Sequence, residues 1–229
     1  MRLSAPLALP CQPGQGAKMT HTMTHRLIDT PAHLAEGAAH LLRIEPRFAP
    51  ALAEPLPLRR RPDGFGALVD AVVSQQVSVA SAAAIHGRML AAGLTDPAAL
   101  ALASDETLRA AGLSRQKIRY LRGIAAADLD YAALRAAPDA EVIARLVALP
   151  GIGPWTAEIY AMFSLGRADV FAPGDLALQE AARLLFGLPV RPSARQLRTM
   201  AEAWSPCRAV AARALWAYYR MARSREGIR

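Results

Sequence analysis

The sequence predicts an all-α fold, and three observations carry that prediction. Apolar residues recur at helical spacing along most of the chain, serines and prolines stand where helices begin, and no convincing strand alternation is present. Helices are predicted over 31–43, 65–91, 105–111, 115–128, 139–148, 154–165, 175–186, 194–203 and 206–222. We expect these helices to form two lobes with a cleft between them.

The helix boundaries are justified by their capping residues. Serine side chains accept the first free N–H groups of a helix, and proline suits the first turn. The predicted N-caps are Ser104, Ser114 and Ser193, and the predicted first-turn prolines are Pro138 and Pro206. The β-branched stretch Val69–Val79 is ambiguous, but its length favours a buried helix.

The chain of 229 residues, 53% of them hydrophobic, suits one large domain or two small lobes. Residues 1–26 show no usable period, so we predict that they are disordered or lie upstream of a true start at Met19 or Met23. Residues 27–229 form the folded part. Within it, 54–64 is a connector rich in Pro and Arg, whose adjacent Arg59–Arg61 are either solvated or touch phosphate.

The net charge of +8 and the pI of about 10.3 indicate a polyanionic partner or an acidic surface. Nearly all of the positive charge is arginine, because Lys18 and Lys117 are the only lysines. Residues 191–229 hold nine arginines against Glu202 and Glu226. A solvated C-terminal helix and a DNA-facing stripe both explain this excess.

Cysteine usage and hydropathy exclude several classes of protein. Cys11 and Cys207 are far apart and too few for a disulfide framework, a zinc site or a four-cysteine iron–sulfur cluster. No run approaches the roughly 18 apolar residues of a membrane span. The apolar stretch 3–9 is short and broken by Pro6, which argues against a secretory signal. We therefore expect a cytoplasmic monomer without a catalytic cofactor.

The most informative segment is 147–179, where a tight turn joins two helices. In the run 149–156, Gly151 and Gly153 permit a sharp turn and close approach of another backbone. The following helix begins at Pro154 and presents free N–H groups, which bind phosphate well, and Thr156 adds a hydroxyl. An ordinary corner between helices is the alternative. Further along, Asp175 follows a Pro-Gly turn, where it caps the next helix.

These two features together resemble the helix-hairpin-helix superfamily of DNA glycosylases. The resemblance rests on residues 149–157 and 169–176, with support from 72–79, 112–117, Trp204 and Trp216, and it covers roughly 45–222. Within the superfamily the chain is similar to the DNA-3-methyladenine glycosylase II family. That family's longer form carries an additional α/β domain at the N-terminus, and this chain resembles the compact form.

The resemblance implies base flipping from double-stranded DNA and hydrolysis of the bond between an alkylated purine and its sugar. Asp175 matches the essential aspartate of the superfamily. A carboxylate beside a helix N-terminus is favoured in its ionised form, and it can stabilise an oxocarbenium-like sugar or orient water. A 3-methyladenine or 7-methylguanine base is already cationic, so it leaves without a strong general acid.

Trp155 determines the reaction subtype under this resemblance. Superfamily members that also nick the strand carry a lysine there, so Trp155 implies a monofunctional enzyme that leaves an abasic site. Trp155 and Trp216, with Tyr160 as a weaker candidate, match aromatics of the base pocket, where indole faces suit a cation. Plain core packing is the alternative for these side chains.

Gln76 stands where the family inserts a residue into the gap left by the flipped base, and Gln75 is the other wedge candidate. The resemblance also implies a monovalent cation, Na⁺ or K⁺, on the main-chain carbonyls of Val147, Leu149 and Ile152, where it would bridge protein and phosphate. Two other functions remain open. A non-catalytic helix-hairpin-helix DNA-binding protein would need neither Asp175 nor the tryptophans, and a glycosylase–lyase would need a lysine.

Overall fold

The computed structural model describes residues 26–225, which form twelve α-helices and one 3-10 helix. Within this range the only β pairing is an isolated bridge between Leu27 and Arg167, so the all-α prediction is confirmed. Nearly all of the segment predicted to be disordered, 1–26, lies outside the described residues. The elements are α1 (Pro31–Ile44), the 3-10 helix (Pro46–Leu52), α2 (Phe65–Val73), α3 (Val79–Ala91), α4 (Pro97–Leu102), α5 (Asp105–Ala110), α6 (Arg115–Ala126), α7 (Tyr131–Ala136), α8 (Asp139–Val147), α9 (Pro154–Phe163), α10 (Leu176–Phe186), α11 (Ala194–Glu202) and α12 (Arg208–Arg225).

The prediction of one continuous helix over 65–91 is wrong, because the chain turns at 74–78. Gln76 has a φ of 55°, in the left-handed region that a continuing helix cannot contain. Ser78 then starts α3, since its side chain accepts the N–H of Ser81. The local capping signal therefore overrides the apolar periodicity that runs across both helices.

Three short elements were not predicted: α4, α7 and the 3-10 helix. Asp96 and Asp130 cap α4 and α7 with their side chains, so the sequence held start signals that the short apolar runs did not reinforce. The predicted caps Ser104, Ser114 and Ser193 are confirmed, each accepting the N–H three residues on. Pro138 immediately precedes α8, whereas α12 begins at Arg208, two residues after Pro206.

The helices pack in two groups around one contiguous core. In one group, α1 and the 3-10 helix pack against α10 and α12; in the other, α2 contacts α3, α6 and α9, while α4 and α5 pack on α6 and α8 packs on α9. Gly37 of α1 lies so close to Val210 of α12 that a Cβ there would overlap the valine side chain. Residues of α9, α10 and α12 meet at the junction of the groups. No helix of residues 26–225 is long and apolar enough to cross a membrane.

Candidate active site

The hairpin between α8 and α9 is seated on α6 by two glycine contacts. Gly151 has a φ of 82°, and a Cβ on it would overlap the ring of Tyr120. A Cβ on Gly123 would overlap the ring of Pro150. Both contacts require glycine, one for its backbone conformation and both for space. The turn therefore has a fixed place on the molecule.

The start of α9 is open to an approaching group. Gly153 is its N-cap and no side chain caps the helix, so the first N–H groups are left for an external acceptor. Nothing lies within 4 Å of a Cβ placed on Gly153. Pro154 occupies the first turn, and Thr156, in the same turn, lines a neighbouring cavity.

Asp175 lies at the end of the loop from α9 to α10, which is mostly buried and held by side-chain hydrogen bonds. Arg208 donates to both oxygens of Asp169, at 2.8 and 2.9 Å. Gln179 Nε2 donates to the carbonyl of Pro173 at 2.8 Å, just before Asp175. These bonds fix the loop on α10 and α12, so the carboxylate at its end has a defined position.

Asp175 accepts four hydrogen bonds. As the N-cap of α10, its Oδ1 accepts the N–H groups of Ala177 at 2.9 Å and Leu178 at 3.0 Å. Oδ1 also accepts Trp216 Nε1–H at 3.3 Å, while Oδ2 accepts Trp155 Nε1–H at 3.0 Å. A carboxylate has about four lone-pair sites. Oδ1 is thus crowded, and Oδ2 keeps a free lone pair.

The two tryptophans have different surroundings. Trp155 is 47% exposed and lines the cavity. The same side chain donates its Nε1–H to Asp175, so the carboxylate lies next to the cavity wall. Trp216 is half-buried on α12, with its ring centroid 5.7 Å from that of Phe163. Within the described part of the chain, Trp216 contacts Asp175 but is not among the residues that line the cavity.

The cavity has a volume of about 670 Å³, enough for a purine base. Its walls come from the connector before α2, from α2 and from α9; the lining residues are Arg61, Pro62, Gly66, Ala67, Asp70, Ala71, Ser74, Gln75, Trp155, Thr156, Ile159, Tyr160 and Ser164. Tyr160 Oη accepts the N–H of Gly64 at 2.8 Å. Burial raises the pKa of Tyr160 to about 12. Its hydroxyl therefore keeps its proton and is available as a donor.

The turn at 74–78 separates the two wedge candidates. Gln75 Nε2 donates to the carbonyl of Gly151 at 2.9 Å, which ties the turn to the hairpin. Gln76 is exposed and holds the left-handed backbone conformation. Nearby, Lys117 Nζ donates to the carbonyl of Val73 at the end of α2, at 2.7 Å, and burial lowers its pKa.

The carbonyls predicted to bind a cation all belong to the hairpin. Val147 ends α8, and Leu149 and Ile152 lie in the turn. Leu149 O accepts the N–H of Ile152 at 3.2 Å. The sequence did not predict that Asp70 and Arg61 line a cavity, although Arg61 was a candidate for phosphate contact. No motif marked them, because only the packing of the connector and α2 beside α9 brings them to the cavity.

The chain is similar to several known proteins. Residues 69–207 match the family described as HhH-GPD superfamily base excision DNA repair protein. DNA-3-methyladenine glycosylase 1 of Schizosaccharomyces pombe is 33% identical over 158 residues, which cover 65% of this chain and 69% of that protein. The crystal structure of a DNA-3-methyladenine glycosidase from Bacillus halodurans is 35% identical with a TM-score of 0.73, covering 85% of this chain and 92% of that one. The S. pombe enzyme Mag1 in complex with abasic DNA has a TM-score of 0.64 at 29% identity, with 79% of this chain and 95% of that one covered.

Proposed function

Because the chain belongs to the HhH-GPD superfamily of base excision DNA repair proteins, we propose that it is a 3-methyladenine DNA glycosylase. The observation that carries the proposal is the carboxylate of Asp175, held by two indole N–H groups and a helix N-terminus beside a cavity of purine size. The similarity to DNA-3-methyladenine glycosylases of two organisms supports the same reaction and substrate class.

In the proposed reaction the damaged nucleotide leaves the duplex and its base enters the cavity. The exposed face of Trp155 stacks on the cationic base, which its π electrons attract. The bond from C1′ to the base breaks, and its electron pair neutralises the departing base. The positive charge that develops on the sugar lies beside the Asp175 carboxylate and is stabilised by it. Water then adds to C1′ and gives up one proton.

The crowding at Asp175 favours charge stabilisation as its main role. Three donors occupy Oδ1, so only Oδ2 retains room to orient the attacking water. The indole of Trp155 on Oδ2 holds this oxygen in place before substrate arrives. The site therefore works by preorganised charge, and proton removal from water is secondary.

The proposal includes hydrolysis without strand cleavage, so that the product is an abasic site. Trp155 occupies the position at which a lyase would carry its lysine. Lys117, the only lysine in the described part of the chain, is held by the carbonyl of Val73. Its ammonium group neutralises the negative end of α2, a structural task that keeps it from acting as a nucleophile.

The DNA backbone is proposed to meet the hairpin, whose open helix start at Gly153 supplies N–H groups for a phosphate. Exposed Gln76 is the proposed wedge in the duplex, while Gln75 braces the turn against Gly151. The carbonyls at Val147, Leu149 and Ile152 suit a monovalent cation, because the carbonyl end of α8 and the turn offer neutral oxygens. Weaker DNA binding in tetramethylammonium than in K⁺ at equal ionic strength would support that ion.

The direct test of the function is release of free 3-methyladenine from a methylated duplex by the purified protein. We expect release, with strands that break only after alkali treatment. Sodium borohydride is expected to trap no covalent complex. DNA binding without base release would favour the non-catalytic alternative, and a trapped complex would favour a lyase.

A further inference from the structure

The cavity wall carries two opposite charges that do not pair with each other. Asp70 of α2 and Arg61 of the preceding connector both line it. Among the described ion pairs, Asp70 has His86 as its partner, with His86 Nε2 at 2.7 Å from Oδ1. None of those pairs includes Arg61. A carboxylate and a guanidinium are therefore both available to a molecule inside the cavity.

Arg61 is fixed by its backbone and by an aromatic ring. Its N–H donates to the carbonyl of Phe163 at 3.0 Å, and its guanidinium lies 5.9 Å from the centroid of the Phe163 ring. The neighbouring Arg60 differs, since its Nε lies 3.4 Å from Asp29. Of these two arginines, Arg61 is the one that lines the cavity around Trp155, and no hydrogen bond among the described residues uses its guanidinium donors.

Asp70 keeps one oxygen free. His86 Nε2 lies 2.7 Å from Oδ1, and no hydrogen bond among the described residues reaches Oδ2. The side chain is 58% exposed, so it does not bear the cost of a buried charge. It belongs to α2, and Ser74, the residue that follows this helix, also lines the cavity. The cavity thus has hydrogen-bond acceptors at α2 and the guanidinium donors of Arg61 in the same lining.

This arrangement matches one purine better than the other. The Watson–Crick edge of guanine carries two adjacent donors, N2–H and then N1–H, followed by the acceptor O6. Adenine carries a donor at N6 and an acceptor at N1, and has no carbonyl. A flipped base is read through that edge and through stacking. A carboxylate accepts two parallel N–H groups well, and arginine donates readily to O6.

We propose that Asp70 and Arg61 select alkylated guanine, with the carboxylate accepting N1–H and N2–H and the guanidinium donating to O6. This inference rests on the proposed function and names its preferred substrate class, 7-alkylguanine. Trp155 stacks on the base in either case, so it contributes to affinity without discriminating between the purines. The charge of Asp70 also attracts the cationic ring of a 7-alkylated guanine.

The test compares single-turnover release of 7-methylguanine and 3-methyladenine, each divided by its spontaneous rate of loss. Asp70→Asn replaces an acceptor with a donor that opposes N1–H, and Arg61→Met removes the donors to O6. We expect each variant to lower the ratio of 7-methylguanine to 3-methyladenine release about tenfold, since a good bidentate pair discriminates bases by roughly 5- to 150-fold. Glu54→Gln and Arg43→Met make the same charge changes at exposed residues outside the cavity, and they should leave the ratio unchanged.

The outcomes separate this inference from the function on which it rests. Release of both bases by every variant, with an unchanged ratio, would overturn guanine selection and leave the glycosylase intact. Release of neither base by the unaltered protein would overturn the glycosylase itself. A lowered ratio in both cavity variants, with unchanged thermal unfolding, supports the assignment.

Discussion

The carboxylate of Asp175 is surrounded by four N–H donors from three parts of the chain. Two come from its own helix, and the indoles of Trp155 and Trp216 come from α9 and α12. Hydrogen bonds to a charged group are stronger than neutral ones, so each indole stabilises both the position and the charge of the carboxylate. The tryptophans are therefore positioning residues as well as aromatic surfaces.

Replacing Trp216 with Phe tests this role. The change keeps an aromatic ring against Phe163 but removes the N–H that reaches Asp175 Oδ1. We expect the single-turnover rate of base release to fall about tenfold, as for loss of a hydrogen bond to a charged group. The single-turnover rate of base release from a methylated duplex at saturating enzyme measures this effect.

Trp204→Phe is the matched control. Trp204 is buried among Phe48, Phe171 and Phe186, with ring centroids at 5.2, 5.6 and 5.7 Å. Its substitution should lower the unfolding free energy by about 1–3 kcal/mol and leave base release unchanged. Equal effects of the two substitutions on base release would mean that Trp216 acts only through packing.

The turn between α8 and α9 has two structural requirements: a fixed position on α6 and an open start of α9. Gly151 and Pro150 press against α6, through Tyr120 and Gly123, and so hold the turn in place. Gly153 meets no neighbour and leaves the start of α9 open. One glycine is needed for folding and the other for access by a phosphate.

Alanine substitutions at Gly151 and Gly153 should separate the effect on stability from the effect on DNA binding. Gly151→Ala places a side chain at a φ of 82° against Tyr120, so we expect a loss of about 1–3 kcal/mol in unfolding free energy. Gly153→Ala should lower stability by no more than about 1 kcal/mol, yet weaken duplex binding. Thermal unfolding and fluorescence anisotropy with a labelled duplex measure the two effects. A Gly151→Ala variant with the unfolding free energy of the unaltered protein would contradict the close packing of the turn against α6.

Helix positions followed from the sequence wherever a capping residue and a long apolar period agreed. Ser114 before α6 and Ser193 before α11 are examples. The break at Gln76 was not predicted, because β-branched residues of 69–79 stand on both sides of the turn that precedes the N-cap Ser78. The cavity could not be predicted from the sequence either, since the segment that carries Arg61 and Asp70 forms it only by packing beside α9.

The charge of the whole molecule divides between internal structure and the surface. Of the C-terminal arginines, Arg198 pairs with Glu158, Arg208 pairs with Asp169, and Arg213 is 3% exposed above the ring of Phe163. Burial, with the nearby cations Arg60 and Arg59, lowers the pKa of Arg213 to about 10. Two of these arginines are engaged in ion pairs and the third is buried, which leaves a smaller basic surface for DNA than the count of nine arginines implied.

The remaining positive charge should make binding to undamaged duplex strongly dependent on salt. With a net charge of +8, we expect the affinity to fall at least about tenfold between roughly 50 and 200 mM salt, because phosphate contacts release counterions. Anisotropy titrations over this range measure the slope. An affinity that does not change with salt would mean that few phosphates are contacted.

The central claim is that one carboxylate, Asp175, stabilises the sugar cation, and Asp175→Asn tests it most directly. Asparagine caps helices about as well as aspartate, so the fold and duplex binding should persist. Loss of the negative charge should lower single-turnover release of 3-methyladenine at least about a hundredfold. A folded Asp175→Asn variant that released the base at the unaltered protein's rate would contradict the account.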